Sequence, residues 1–232
     1  QKAGVNNVIE LPIGIDGLTL IESNQAEPFK LTTRDIYAAL AATPFGKPQT
    51  AQTWRDVNPA LPAIKIRVLG PPPTSGTRDS FAELMLTAGC DGDPAMKALK
   101  EQDSTKIRED GAFVEAGEND NLLVQKVAAD PGALGVLGYS FLAENADKVR
   151  PIEVGGVKPT EETISNLTYP GARKLYVYAK GEHMQAKPAM REFIQAYAQA
   201  WAPGGVLQRR GLVPFSGADA ATANEQAQKL AP

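Results

Sequence analysis

The sequence predicts an α/β fold with a mixed or mostly parallel sheet, and three observations carry that expectation. Short apolar runs at 64–69 and 175–179 alternate with amphipathic stretches long enough for helices. The first run passes through a Gly/Pro-rich turn, Gly70-Pro71-Pro72-Pro73, straight into a helical pattern. No internal repeat or low-complexity tract interrupts the alternation across the 232 residues.

Residues 8–20 read as a strand, with Pro12, Gly14 and Gly17 marking a bend or bulge. A short helix follows, capped by Thr33 or Thr32 and ending by Thr43-Pro44. A loop rich in Gln, Thr and Pro leads to the buried strand at 64–69. The next helix is expected at 79–88, with Phe81, Leu84 and Met85 facing inward and Gly89 as its stop. Residues 91–112 are charged and read as a helix-containing surface excursion. A helix over 119–129 with Leu122, Leu123 and Val127 on one face ends at Asp130-Pro131-Gly132. A small-residue strand at 133–139 comes next, then a helical turn at 144–149. The strand at 175–179 precedes an amphipathic helix at 187–201, and 218–230 reads as an Ala/Gln-rich surface helix.

Composition narrows the function. Hydrophobic content of 43% and charged content of 22% are those of an ordinary globular protein. A net charge of −3, with close basic pairs only of the Arg209-Arg210 kind, argues against nucleic acid. Cys90 is the single cysteine, so neither an intramolecular disulfide nor a Cys-based zinc site can form. No apolar run approaches the length that spans a bilayer. The chain opens Gln1-Lys2-Ala3-Gly4 and runs into a strand, with no signal peptide in view. Neither a metal nor a cofactor is expected.

The strand-to-helix junction after residue 69 carries the chemistry. Thr74, Ser75, Gly76 and Thr77 fall where a helix starts, and a helix start offers unpaired N–H groups and the positive dipole end. Three hydroxyls add donors, Gly76 lets an anion approach the backbone, and Arg78 adds a charged fork. The cluster suits a small tetrahedral oxyanion. The same residues also read as an ordinary Ser/Thr cap with Asp79 in the first turn, and on residue types alone the two readings weigh equally.

A family resemblance separates them. Residues 70–81, GPPPTSGTRDSF, resemble the oxyanion loop of phosphate-binding proteins that serve bacterial ABC transporters. Residues 119–145 (NDNLLVQKVAADPGALGVLGYSFLAEN), 169–180 (YPGARKLYVYAK) and 54–59 (WRDVNP) resemble further segments of that family, in family order. The resemblance implies a two-lobed periplasmic-binding-protein-like fold with mixed sheets and an incomplete first lobe. On that mapping 1–17 form a crossing strand and part of lobe one, and 18–165 form lobe two with the oxyanion loop. Residues 166–232 supply the return strand and C-terminal helices of lobe one.

The resemblance further implies a non-enzymatic protein that binds inorganic phosphate and hands it to the membrane permease of an ABC importer. It also implies export to the periplasm or beyond. Ser75, Gly76, Thr77 and Arg78 would hold the phosphate, with Thr74 a further candidate, while Asn119, Asp120 and Asn121 would face or brace the site. Two departures stand out. Relatives carry about one more βαβα unit ahead of this chain's first residue, which implies either a fragment of a longer protein, the favoured expectation, or a shortened relative with half a cleft. Pro71 and Pro73 stand where many relatives have an Arg and an Asp, which leaves Arg78 as the guanidinium donor.

Alternative chemistries find less support. A phosphatase or esterase using Ser75 with His183, the only histidine, would need a strained nucleophile elbow that TSGT does not spell. Glu115, Glu118 and Asp120 can imitate an acid/base or metal pair but sit in a polar loop as solvated carboxylates. A relative that kept the fold without the ligand is the remaining alternative.

Overall fold

The computed structural model describes residues 4, 7–91, 96, 105–215 and 217–228. Most of the excursion expected at 91–112 lies outside them. The chain divides into two compact units. One comprises Gly17–Thr163 and Leu167–Ala172; the other comprises Gln1–Asp16, Ile164–Asn166 and Arg173–Pro232.

The larger unit is built on a five-stranded mixed sheet. Its strands are β1 (Val8–Ser23, through its second half), β2 (Val68–Gly70), β3 (Phe113–Glu115), β4 (Leu134–Gly138) and β5 (Val149–Pro151), in the order β3-β2-β4-β1-β5. β2 runs parallel to both neighbours, Val68 standing opposite Phe113 on one side and Leu134 on the other. β1 is antiparallel to β4 and β5, with Leu18 opposite Gly138 and Glu22 opposite Arg150. The sheet is therefore mixed, as the alternation of elements implied.

Helices cover this sheet in the expected sequence. α1 (Thr33–Leu40) and α2 (Trp54–Val57) each start with a capping box, Thr32 with Asp35 and Thr53 with Asp56. Asn58, at the end of α2 in the WRDVNP turn, donates to Asp35 at 3.1 Å, which ties that turn to the cap of α1. α3 (Gly76–Phe81) continues through a π-helical segment, Ala82–Thr87, into α4 (Ala88–Asp91). α5 (Asp120–Ala129) and α6 (Tyr139–Glu144) complete the cover. Leu69, Leu123, Val127, Leu137 and Val149 are core residues where α5 meets the sheet.

Several boundaries differ from expectation for identifiable reasons. Residues 64–66 leave the main sheet: Trp54 N–H donates to Ile64 O, and Ile66 N–H to Gln52 O. Only 68–70 remain for β2. The helix expected to stop at Gly89 runs through it to Asp91. A Cβ there would stand 2.2 Å from the Thr33 carbonyl oxygen, so Gly89 permits close helix packing rather than termination. The π segment adds a residue to the turn, which buries Met85 and Leu86 instead of Leu84. On α5 the inward residues are Leu123, Val124 and Val127, while Leu122 is exposed. The turn expected at 144–149 starts earlier, as α6, because Gly138 already caps Tyr139.

The described end of the 91–112 stretch is surface only in part, with Lys106, Glu109, Asp110 and Gly111 exposed. Ile107, Arg108 and Ala112 are buried. Arg108 donates to the carbonyls of Ala39 and Ala51, each at 2.9 Å, and holds Asp110 through two contacts of 2.5 and 2.8 Å. A charge can be buried here because its donors are nearly all engaged.

The smaller unit uses the first half of β1, which pairs with β6 (Ala172–Lys180). Ile15 also exchanges backbone hydrogen bonds with Val213 at 2.8 and 3.2 Å. Helices Gly181–Ala186, Pro188–Trp201 and Gly217–Gln228 follow. Leu11, Ile13, Ala179, Met184, Ile194 and Trp201 form its core. Ile194 and Trp201 of the long helix are thus covered, while Phe193 on the same helix is 65% exposed.

Candidate functional site

The candidate site lies where three neighbouring parallel strands end. β2 leads into the start of α3, β3 into the start of α5, and β4 directly into α6. Their carboxyl ends point the same way, so three helix N-termini gather along one edge of the sheet. Open α/β sheets bind ligands beyond the carboxyl ends of their strands, where N–H groups and dipoles converge.

Ser75 is the N-cap of α3, and its side-chain oxygen accepts from the Thr77 N–H at 3.2 Å. The Arg78 N–H is spent on the Ser75 carbonyl at 3.0 Å. The Gly76 N–H finds no partner among the described residues, and a Cβ on Gly76 would meet nothing within 4 Å. The space over this helix start is open. Ser80 is buried one turn below and donates to the Gly76 carbonyl at 2.6 Å, which fixes the first turn.

Arg78 is held on two sides. Its Nη1 donates to the Pro71 carbonyl at 3.1 Å, and its guanidinium carbon lies 4.2 Å from the centre of the Phe113 ring. Partial burial lowers its pKa from the ordinary value, while Glu115, Asp79 and Glu109 oppose that shift. It remains a cation at neutral pH. Pro71 therefore contributes a carbonyl to the arginine's placement.

Thr74 is exposed, and its hydroxyl donates to Glu118 at 3.0 Å. That bond joins the loop before α3 to the loop before α5. Asn119 is the N-cap of α5, accepting from the Leu122 N–H at 3.1 Å. Asp120 is half-buried in the first turn, and burial pushes its carboxyl above the usual carboxylate range. Asn121 is exposed. The two motifs are thus brought to one edge of the sheet, with Asn119 serving as a cap. Phe113, absent from the candidates that the sequence offers, contacts the arginine directly, because the sheet order sets β3 beside β2.

Other candidates fall elsewhere. Exposed His183 lies in Gly181–Ala186, within the smaller unit. Among the described residues no group of His, Cys, Asp and Glu is placed to hold a metal ion. No helix among them is long and apolar enough to cross a membrane.

Comparison with known proteins agrees with this architecture. Protein SphX of Synechococcus elongatus is 32% identical over 225 residues, covering 93% of this chain and 58% of that one. The phosphate-binding protein PstS of Staphylococcus epidermidis is 29% identical over 195 residues, covering 80% and 50%. The chain therefore spans about half the length of the curated relatives it matches. A structure described as a possible phosphate binding protein from Planctomyces limnophilus superposes with a TM-score of 0.70 at 24% identity, covering 100% of this chain and 75% of that one. An ABC-type phosphate transport receptor from Vibrio cholerae gives 0.65 at 19% identity, covering 92% and 75%. The sequence profile of the PBP superfamily domain matches residues 1–199, and the chain belongs to that family.

Proposed function

We propose that this protein binds inorganic phosphate, or a similar tetrahedral oxyanion, at the start of α3 and delivers it to an ABC importer. The observation that carries the reading is the open Gly76 N–H, without a partner among the described residues, beside the Ser75 and Thr77 hydroxyls and the held guanidinium of Arg78. Relatives named as phosphate-binding proteins support it. Gly76 donates from the backbone, Ser75 and Thr77 from their hydroxyls, and Arg78 supplies a charge-assisted pair. Thr74, Asn119, Asp120 and Asn121 border the site rather than fill it. On this reading residues 18–165 are the lobe that carries the phosphate loop, with 1–17 and 166–232 belonging to the other.

The protein acts by binding alone. The Ser75 oxygen is engaged as a helix cap, which suits an anion cradle better than a nucleophile. Its partners are phosphate and the permease of the importer, and its place is outside the cytoplasm. Calorimetric titration of the full-length protein with phosphate, beside a phosphate-ester turnover assay, tests both halves of the reading. Saturable binding without turnover is expected; turnover lost in Ser75→Ala would establish an esterase instead.

A further inference from the structure

The guanidinium of Arg78 is not free to search for an anion. It is sandwiched between the Pro71 carbonyl, 3.1 Å from Nη1, and the face of Phe113, 4.2 Å from Cζ to ring centre. Phe113 is itself fixed. It is buried at 7% exposure in β3, packs against Phe81 with ring centres 6.2 Å apart, and stands opposite Val68 across the parallel ladder. Gly70 completes the arrangement, because a Cβ there would lie 2.3 Å from Phe113 Cζ. The bare backbone at the end of β2 is what lets the ring occupy its position.

We propose that Phe113 is a positioning residue for Arg78, holding the guanidinium beside the start of α3 so that its remaining N–H groups meet the anion already oriented. The inference rests on the phosphate reading of Ser75, Gly76, Thr77 and Arg78. A long side chain that must be ordered on binding loses part of its interaction to rotamer entropy, and a preplaced one does not. The aromatic face also replaces water around a cation that is partly buried. Glu115, Asp79 and Glu109 exert their field on the same group, so an unheld arginine would have acidic partners to fold onto. Phe113 acts through Arg78 and needs no contact with the anion.

The test pairs affinity with a spectroscopic signature, on the full-length protein. The Arg78 Nε–H resonance is expected away from its free-arginine position because of the ring current of Phe113. Phe113→Leu should return it toward that position and weaken phosphate binding about tenfold. In an Arg78→Gln background the same substitution should change affinity by no more than about twofold. Gly70→Ala, which pushes on the ring without removing it, should move the same resonance if Phe113→Leu fails to fold. An unmoved Arg78 signal in these variants overturns the positioning role. So does an equal loss of affinity in the Arg78→Gln background, which would mark Phe113 as structural only. If the unmodified protein binds no phosphate, the phosphate reading itself falls, while the Arg78 resonance still decides whether Phe113 holds the arginine.

Discussion

The hydroxyl of Thr74 donates to the carboxylate of Glu118 at 3.0 Å, joining the loop that precedes one helix start to the loop that precedes the next. A threonine hydroxyl has one proton, so while this bond stands Thr74 donates to nothing else. The bond also sets an acidic group at the edge of the proposed anion site.

Glu118→Gln should therefore tighten phosphate binding by about threefold at low salt, and by less at physiological ionic strength, since an exposed charge is screened. Glutamine can still accept from Thr74, so the loops stay joined. Calorimetry at two salt concentrations reads the effect. Weaker binding in the variant would mean that Glu118 accepts a proton from the bound anion and favours protonated oxyanions.

Thr77→Val should weaken phosphate binding by about 1–3 kcal/mol by removing a hydroxyl donor from a desolvated anion. Arg78→Ala should cost at least as much, because a charge-assisted pair is lost. An unchanged affinity in Arg78→Ala would show that another cation serves the anion; Arg67 is not that cation, because it lies at the amino end of β2 and pairs with Asp130 at 2.8 Å.

Arg108 supports the fold rather than the ligand. Its side chain is buried, donates to Ala39 and Ala51, and grips Asp110 with both ends of its fork. Arg108→Met should destabilise the protein by about 2–4 kcal/mol, since two carbonyls lose their donor. Urea denaturation measures it. A loss below about 0.5 kcal/mol would show that water replaces the guanidinium freely.

Glu22 gives a pH dependence of definite sign. Burial pushes its carboxyl above the ordinary glutamate value despite the Arg150 hydrogen bond at 2.8 Å. The folded state thus holds this proton more readily than the unfolded chain. Its contribution is fully present below the ordinary pKa of 4.5 and is lost as pH rises through the raised folded value. The stability of Glu22→Gln relative to the unmodified protein should therefore improve as pH climbs from about 4 to about 7. Denaturant melts across that range check it; a relative stability of Glu22→Gln that falls with rising pH would reverse the assignment.

Much of the fold could be read before the structure, because the deciding signals are local. The Thr32 cap, the Gly/Pro turn after β2 and the alternation of apolar runs depend on near neighbours in sequence. What escaped depends on contacts distant in sequence. The π segment shifts burial from Leu84 to Leu86, and no periodicity announces an inserted residue. Gly89 looks like a helix stop until the Thr33 carbonyl is seen beside it. Arg108 looks like surface charge until Ala39 and Ala51 are found accepting from it. At the site, the loop residues were legible as a motif. The Phe113–Arg78 contact was not, because it joins elements whose pairing only the sheet order fixes.

The central claim is that the start of α3 holds the phosphate, and amide resonances followed during a phosphate titration of the full-length protein test it most directly. The account predicts that the N–H signals of Gly76, Thr77 and Arg78 move together and saturate, with Gly76 moving furthest because its donor is open. Saturable binding that shifts other amides and leaves these three in place would contradict it.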